Sequence, residues 1–181
     1  MKKILIPLAD GFEEIETVTL IDVLRRAGLD VIAAGLSAKE LKGAHGVRLV
    51  PDRALDAVKD QSFDMVILPG GQPGVDNLRK DGRVLEVLKR MKSEGKLIGA
   101  ICAAPMVLRD AGLISGVKLT SYPSVESELS GSCYETESVV VDGKIITSRG
   151  PGTALEFSLK IVELLLEKKK SDELSQALLI S

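Results

Sequence analysis

The chain has 181 residues, 45% hydrophobic and 28% charged, enough for one domain with a buried core and unlike a disordered segment. A net charge of −2 with both signs interspersed excludes a basic nucleic-acid surface, and no apolar run approaches the ~20 residues of a membrane span. Two cysteines, Cys102 and Cys133, form neither a disulfide framework nor a multi-cysteine zinc pattern, so a cytoplasmic protein with reduced thiols is expected.

Short β-rich runs alternate with amphipathic ones along the chain, which predicts a parallel sheet covered by helices. The opening apolar stretch is too short for a signal peptide, and Lys3 to Leu8 reads instead as a central strand, apolar on both faces. Glu13 to Ala27 follows as a helix with Leu20, Val23, Leu24 and Ala27 on one face and Gly28 as its stop. Strands are expected at Asp30 to Leu36, Asp64 to Leu68 and Leu97 to Ile101, with helices at Gly82 to Glu94 and Ala103 to Ala111. Asp142-Gly143 predicts a tight antiparallel hairpin between Val139 and Ile146. In a long late helix, Leu155, Leu159, Val162 and Leu166 mark one face. The run Lys168-Lys169-Lys170 reads as a solvated helix end, followed by a short helix capped by Ser171. The whole, 1–181, is expected to be one doubly wound domain, with its site at the carboxyl ends of the strands.

Four segments at such ends could carry chemistry. In Gly99-Ala100-Ile101-Cys102-Ala103-Ala104-Pro105, a strand runs into a helix start, a turn that would lift the Cys102 sulfur above the sheet. The helix dipole there favours thiolate and predicts a lowered pKa; the alternative is a buried structural cysteine. In Leu68-Pro69-Gly70-Gly71-Gln72-Pro73-Gly74, the paired glycines let backbone N–H groups approach an oxyanion. A phosphate cradle and an ordinary strand-to-helix turn remain as other readings, although the P-loop lysine is lacking.

Asp10-Gly11-Phe12-Glu13-Glu14-Ile15-Glu16 opens the first helix. Glu13 and Glu14 are accounted for by the helix dipole. Glu16 shares the face of Leu20 and Val23, and a carboxyl turned toward the core either finds a partner or keeps its proton. In Thr147-Ser148-Arg149-Gly150-Pro151-Gly152-Thr153, Arg149 could meet a substrate or form a structural ion pair. The only histidine, His45, lies far in sequence from these motifs, and Ala103 follows the cysteine directly, so a Cys–His dyad is not expected.

Together the Glu-Glu-Ile-Glu, Leu-Pro-Gly-Gly, Ala-Ile-Cys-Ala and Ser-Arg-Gly-Pro-Gly-Thr segments resemble the ThiJ/PfpI superfamily, and within it the DJ-one branch, over Lys3 to about Leu166. The resemblance implies a flavodoxin-like α/β fold, doubly wound and mostly parallel, with helices on both faces and a small antiparallel hairpin. It implies a reactive Cys102 hydrogen-bonded to a protonated Glu16, with backbone N–H groups of Gly71 and Ala103, beside Gly70, lining an oxyanion pocket. Arg26 and Arg149 match positions of the site rim and dimer contact. The branch often carries histidine in a Thr-x-His-Pro pattern where this chain reads Thr120-Ser121-Tyr122-Pro123, so Tyr122 would form that wall.

The activity implied is a cofactor-free, metal-free glyoxalase or deglycase acting on small dicarbonyls or early glycation adducts, in a homodimer. Its rival is a redox sensor whose cysteine oxidises to sulfinate, with holdase-like activity. A cysteine peptidase or amidohydrolase ranks below both.

Overall fold

The computed structural model describes residues 1–37 and 39–180. In chain order its elements are β1 (Lys3–Leu8), α1 (Glu14–Arg26), β2 (Asp30–Gly35), β3 (Leu41–Lys42), β4 (Arg48–Leu49), β5 (Arg53–Ala54), β6 (Met65–Leu68), α2 (Gly74–Lys80) and α3 (Gly82–Ser93). They continue with β7 (Leu97–Ile101), α4 (Pro105–Asp110), β8 (Lys118–Leu119), β9 (Cys133–Tyr134), β10 (Val139–Asp142), β11 (Ile145–Ser148), α5 (Ala154–Leu165) and α6 (Lys168–Ala177).

Seven strands form one sheet in the order β10-β11-β7-β6-β1-β2-β5, parallel except for the β10–β11 hairpin. The fold is the doubly wound α/β architecture that the alternating pattern predicts. The central strands are apolar on successive residues because both faces are covered. Ile4, Ile6 and Leu8 of β1 pack with Leu20 and Leu24 of α1 and Phe157 of α5, whereas Leu5 points into the opposite layer with Val87, Leu88 and Val107. From β1 the chain winds first to β2 and then back across to β6. The crevice at the carboxyl ends of β1 and β6 is therefore the topological switch point, where ligands bind in such sheets.

Several elements differ from the sequence expectations. The helix after Cys102 begins at Pro105 rather than Ala103; residues 102–104 form a turn that opens with Cys102 at a left-handed φ of 63°. A short helix, α2, occupies 74–80, where only a turn is legible. On α5 the buried residues include Ala154, Phe157, Ile161, Leu165 and, as expected, Val162; Leu155 and Leu166 are exposed. The aromatic ring of Phe157 decides which side faces the sheet, and Leu159 packs at the edge, where its carbonyl accepts the Ser171 hydroxyl at 2.9 Å. Ser171 is thus inside α6 and caps nothing; Glu167 holds the N-cap position without a side-chain bond. The three lysines open α6, where the dipole opposes them, and Lys168 is offset by Asp172 at 3.1 Å.

Candidate active site

Two loops meet at the switch point and hold each other. The Glu13 N–H donates to the Gly70 carbonyl at 2.9 Å, and the Gly70 N–H donates to Glu16 Oε2 at 2.7 Å. A Cβ on Gly70 would lie 2.6 Å from Cys102 Cβ and 3.1 Å from its sulfur, so only glycine admits the elbow. Gly71, at φ 96°, has Gly11 O and Glu13 N where its Cβ would sit. The paired glycines serve close backbone approach, which rules out a looser turn at this point.

Cys102 follows β7 directly. Its N–H donates to the Ser148 carbonyl at 2.9 Å, and its own carbonyl accepts the Tyr122 N–H at 2.8 Å. These bonds fix the strained backbone from both sides. The backbone N–H groups of Gly71 and Ala103 lie close enough to the sulfur to favour its thiolate form. Beneath it Glu16 is fully buried; Oε1 has no hydrogen-bond partner, and Oε2 and the Cys102 sulfur both lie around the place of the missing Gly70 Cβ, close enough for the two groups to affect each other's protonation.

Burial dominates the protonation of both groups. It raises Glu16 to about 7, against the pull of the Gly70 N–H and the Cys102 contact, with the Glu13 charge adding to the rise. Burial, then charged Glu16, push the Cys102 thiol up to about 12, against the pull of the Ala103 and Gly71 N–H groups. The lowered thiol pKa predicted from the helix dipole is therefore not found: α4 starts three residues later, and desolvation outweighs the nearby N–H groups. The two rises are coupled, since a proton on Glu16 removes its repulsion of the thiolate and lets the carboxyl donate to sulfur.

The sulfur opens into a cavity of about 290 Å³ lined by Glu13, Gly71, Gln72, Cys102, Ala103, Tyr122, Ser124, Val125 and Pro151. The walls are mostly apolar, and a larger dent of about 480 Å³ near Asp10 and Lys80 lies outside it. Tyr122 stands at the mouth, 47% exposed. Arg149 is not a cavity wall. It flanks the neighbouring Tyr122–Pro151 surface, donates to the Thr136 carbonyl at 3.1 Å, and forms no ion pair among the described residues. Arg26 ends α1, about 15 Å along the helix from Glu16, and pairs with Asp22 at 2.7 Å. Cys133 is exposed and remote, its thiol 3.8 Å from the Gly116 carbonyl.

Sequence reasoning missed Glu13 as a cavity wall, because helix-dipole chemistry already explained an acidic residue there. It also placed His45 away from the site. The β3–β4 turn brings His45 Nδ1 to 3.0 Å from Glu14 Oε2 and 3.5 Å from Glu13 Oε2, at the rim rather than on the cysteine. These three side chains have donor atoms within 4.8 Å of one another, but Glu14 Oε1 is already taken by the His45 and Val47 N–H groups, so the cluster is a hydrogen-bonded ion pair.

The model of the DJ-1/PfpI family matches residues 2–164. The chain belongs to that family. Protein dj-1beta of Drosophila melanogaster is 46% identical over 183 residues, covering 99% of this chain and 98% of that one. The crystal structure of Drosophila DJ-1beta superposes with a TM-score of 0.97 at 45% identity, over 99% and 98% of the two chains. A Caenorhabditis elegans relative described as glutathione-independent glyoxalase DJR-1.2 is 43% identical over 98% of this chain and 95% of its own. Toxoplasma gondii DJ-1, solved in a form described as oxidized, has a TM-score of 0.96 at 38% identity, over 99% and 98% of the chains. The family and fold read from the four motifs are confirmed.

Proposed function

We propose that this single domain is a cysteine-dependent, cofactor-free glyoxalase acting on small 2-oxoaldehydes, with the related removal of early glycation adducts, in a stress-response role in the cytoplasm. The observation that carries the reading is the Cys102–Glu16 pair: a sulfur held at an elbow over a small cavity, with two backbone N–H groups near it and a buried carboxyl beside it that shares the place of the missing Gly70 Cβ. The name of the Caenorhabditis relative supports the reaction class.

The chemistry is redox-neutral. Glu16 carboxylate takes the Cys102 thiol proton as the sulfur adds to the aldehyde carbon of methylglyoxal, and the new alkoxide takes that proton to give a hemithioacetal. Glu16 carboxylate then removes the C1 proton, and the Gly71 and Ala103 N–H groups hold the enediolate oxygens. Return of the proton to C2 gives a lactoyl thioester, and water releases lactate and the thiol. Tyr122 bounds the cavity without acting as the base. A homodimer is supported by exposed Ile15 and Val18 on α1, an apolar face that a partner would cover.

The second reading, a redox sensor with holdase-like activity, is favoured by the same pair: Glu16 with its proton would donate to a Cys102 sulfinate. The Toxoplasma relative described as oxidized supports it. Peptidase or amidase chemistry lacks a base, since His45 engages Glu14 and not the sulfur.

Reduced protein incubated with methylglyoxal should form lactate, and Cys102→Ala should not. Lactate at an undiminished rate from Cys102→Ala contradicts the proposal.

A further inference from the structure

The only histidine of the chain lies next to a wall of the cavity rather than at its centre. The β3–β4 turn is clamped to the start of α1: Gly11 N–H donates to Lys42 O at 2.8 Å, Ala44 N–H to Phe12 O at 2.9 Å, and His45 N–H to Glu14 Oε1 at 2.7 Å. Gly43 leaves no room for a Cβ, which would fall on the Glu14 carboxylate. The turn therefore delivers the imidazole to a fixed place, 73% exposed, with Nδ1 over both Glu13 and Glu14. Glu13 lines the cavity that holds the Cys102 sulfur, and its N–H is tied to the same Gly70 that binds Glu16.

We infer that His45 is a positioning residue for this site: its imidazolium screens the Glu13 carboxylate on the cavity wall and so sets how readily the Cys102–Glu16 pair gives up a proton. The inference deepens the proposed function and rests on it.

The electrostatic path has two steps, each visible in the geometry. Glu13 raises Glu16 by charge repulsion, so its negative charge opposes ionisation of the pair. His45, itself favoured in the charged form by the Glu14 hydrogen bond and both carboxylates, cancels part of that charge. Around them, Glu14 belongs to the same ion pair, Tyr122 faces the cavity from the opposite wall, and Asp10 Oδ1 is occupied by the Lys42 N–H. Lys42 flanks the turn near Gly46, and Arg48 is committed to Glu40 at 2.7 Å, which leaves His45, among the described residues, as the cation in contact with Glu13. As pH rises and His45 loses its proton, Glu13 acts unscreened and the pair holds its proton more tightly.

The test follows the pH dependence of Cys102 alkylation by iodoacetamide, alongside lactate formation, in the full chain. Because His45 has lost its proton where the thiol titrates, His45→Gln should leave the alkylation midpoint close to that of the unmodified protein, and His45→Lys, which keeps its charge to higher pH, should lower it by roughly half a pH unit. In Glu13→Gln the midpoint should fall and no longer respond to the residue at 45. Equal thermal unfolding of these variants separates charge from folding. Identical midpoints for His45→Gln and His45→Lys overturn the inference, even with Cys102-dependent lactate in hand. Shifted midpoints with no lactate from any form keep the inference for the thiol and reject the glyoxalase reading.

Discussion

Gly70 and Glu16 are locked together: the glycine N–H donates to Glu16 Oε2 at 2.7 Å, and the place of the missing Gly70 Cβ is only 2.7 Å from that oxygen. The same absent atom is what lets Cys102 Cβ approach. One glycine thus sets the spacing of the sulfur and the carboxyl.

Gly70→Ala should therefore separate the pair rather than merely strain a loop. Lactate formation should fall at least about 100-fold while the protein still folds, and a crystal structure should show Cys102 or Glu16 displaced. Wild-type turnover by this variant would refute the tight packing.

Glu16 costs stability for what it offers the site. Its folded value of about 7 lies above the ordinary 4.5, so between these pH values the folded state holds a proton that the unfolded chain has lost. Stability therefore declines as pH rises through that window, and the cost is complete above 7. Glu16→Gln keeps an acceptor for Gly70 N–H and should stabilise the protein at pH 8 by on the order of 2–3 kcal/mol, with little gain at pH 4. Denaturant titrations at the two pH values check this; an equal effect at both contradicts it.

Backbone strain at the elbow gives an inverted glycine effect. Cys102 sits at φ 63°, where a side chain costs about 1–2 kcal/mol and glycine costs little. Cys102→Gly should be more stable than Cys102→Ala by about 1 kcal/mol in urea unfolding. The usual order, alanine above glycine, would show that the elbow relaxes.

These effects trace to features of unequal visibility in sequence. The strands β1 and β7 were legible because burial on both faces forces continuous apolar runs, and the hairpin because Asp142-Gly143 suits its turn. The elbow at Cys102 was legible from small residues leading to Pro105. The rise of the thiol pKa was not, because burial belongs to the packed state, and neighbours such as Glu16 outweigh a dipole inferred locally. Nor was the contact of His45 with Glu13, which joins residues 32 positions apart through a turn whose register is fixed by backbone bonds to the start of α1 and by the close approach at Gly43. The buried face of α5 was legible only in part: Val162 is buried as its spacing suggests, but Leu155 and Leu166 are exposed while Phe157, Ile161 and Leu165 are buried.

The two cysteines should part under mild peroxide. Cys102 has N–H groups and a carboxyl beside it to hold the oxygens of an oxidised sulfur, whereas the Cys133 thiol has the Gly116 carbonyl at 3.8 Å, an acceptor that cannot donate to such oxygens. Peptide mass spectrometry should place added oxygen on Cys102 and leave Cys133 unmodified. Oxygen on Cys133 alone would count against the redox-sensing reading.

The central claim is that Cys102 and Glu16 act as one acid–base unit, and lactate formation by the wild type, Cys102→Ala, Glu16→Gln and the double variant tests it most directly. Each single change should cost about 100-fold or more, and the double should be no slower than the worse single, as for groups that work together. Wild-type turnover in either single variant, or losses that multiply in the double, would contradict the account.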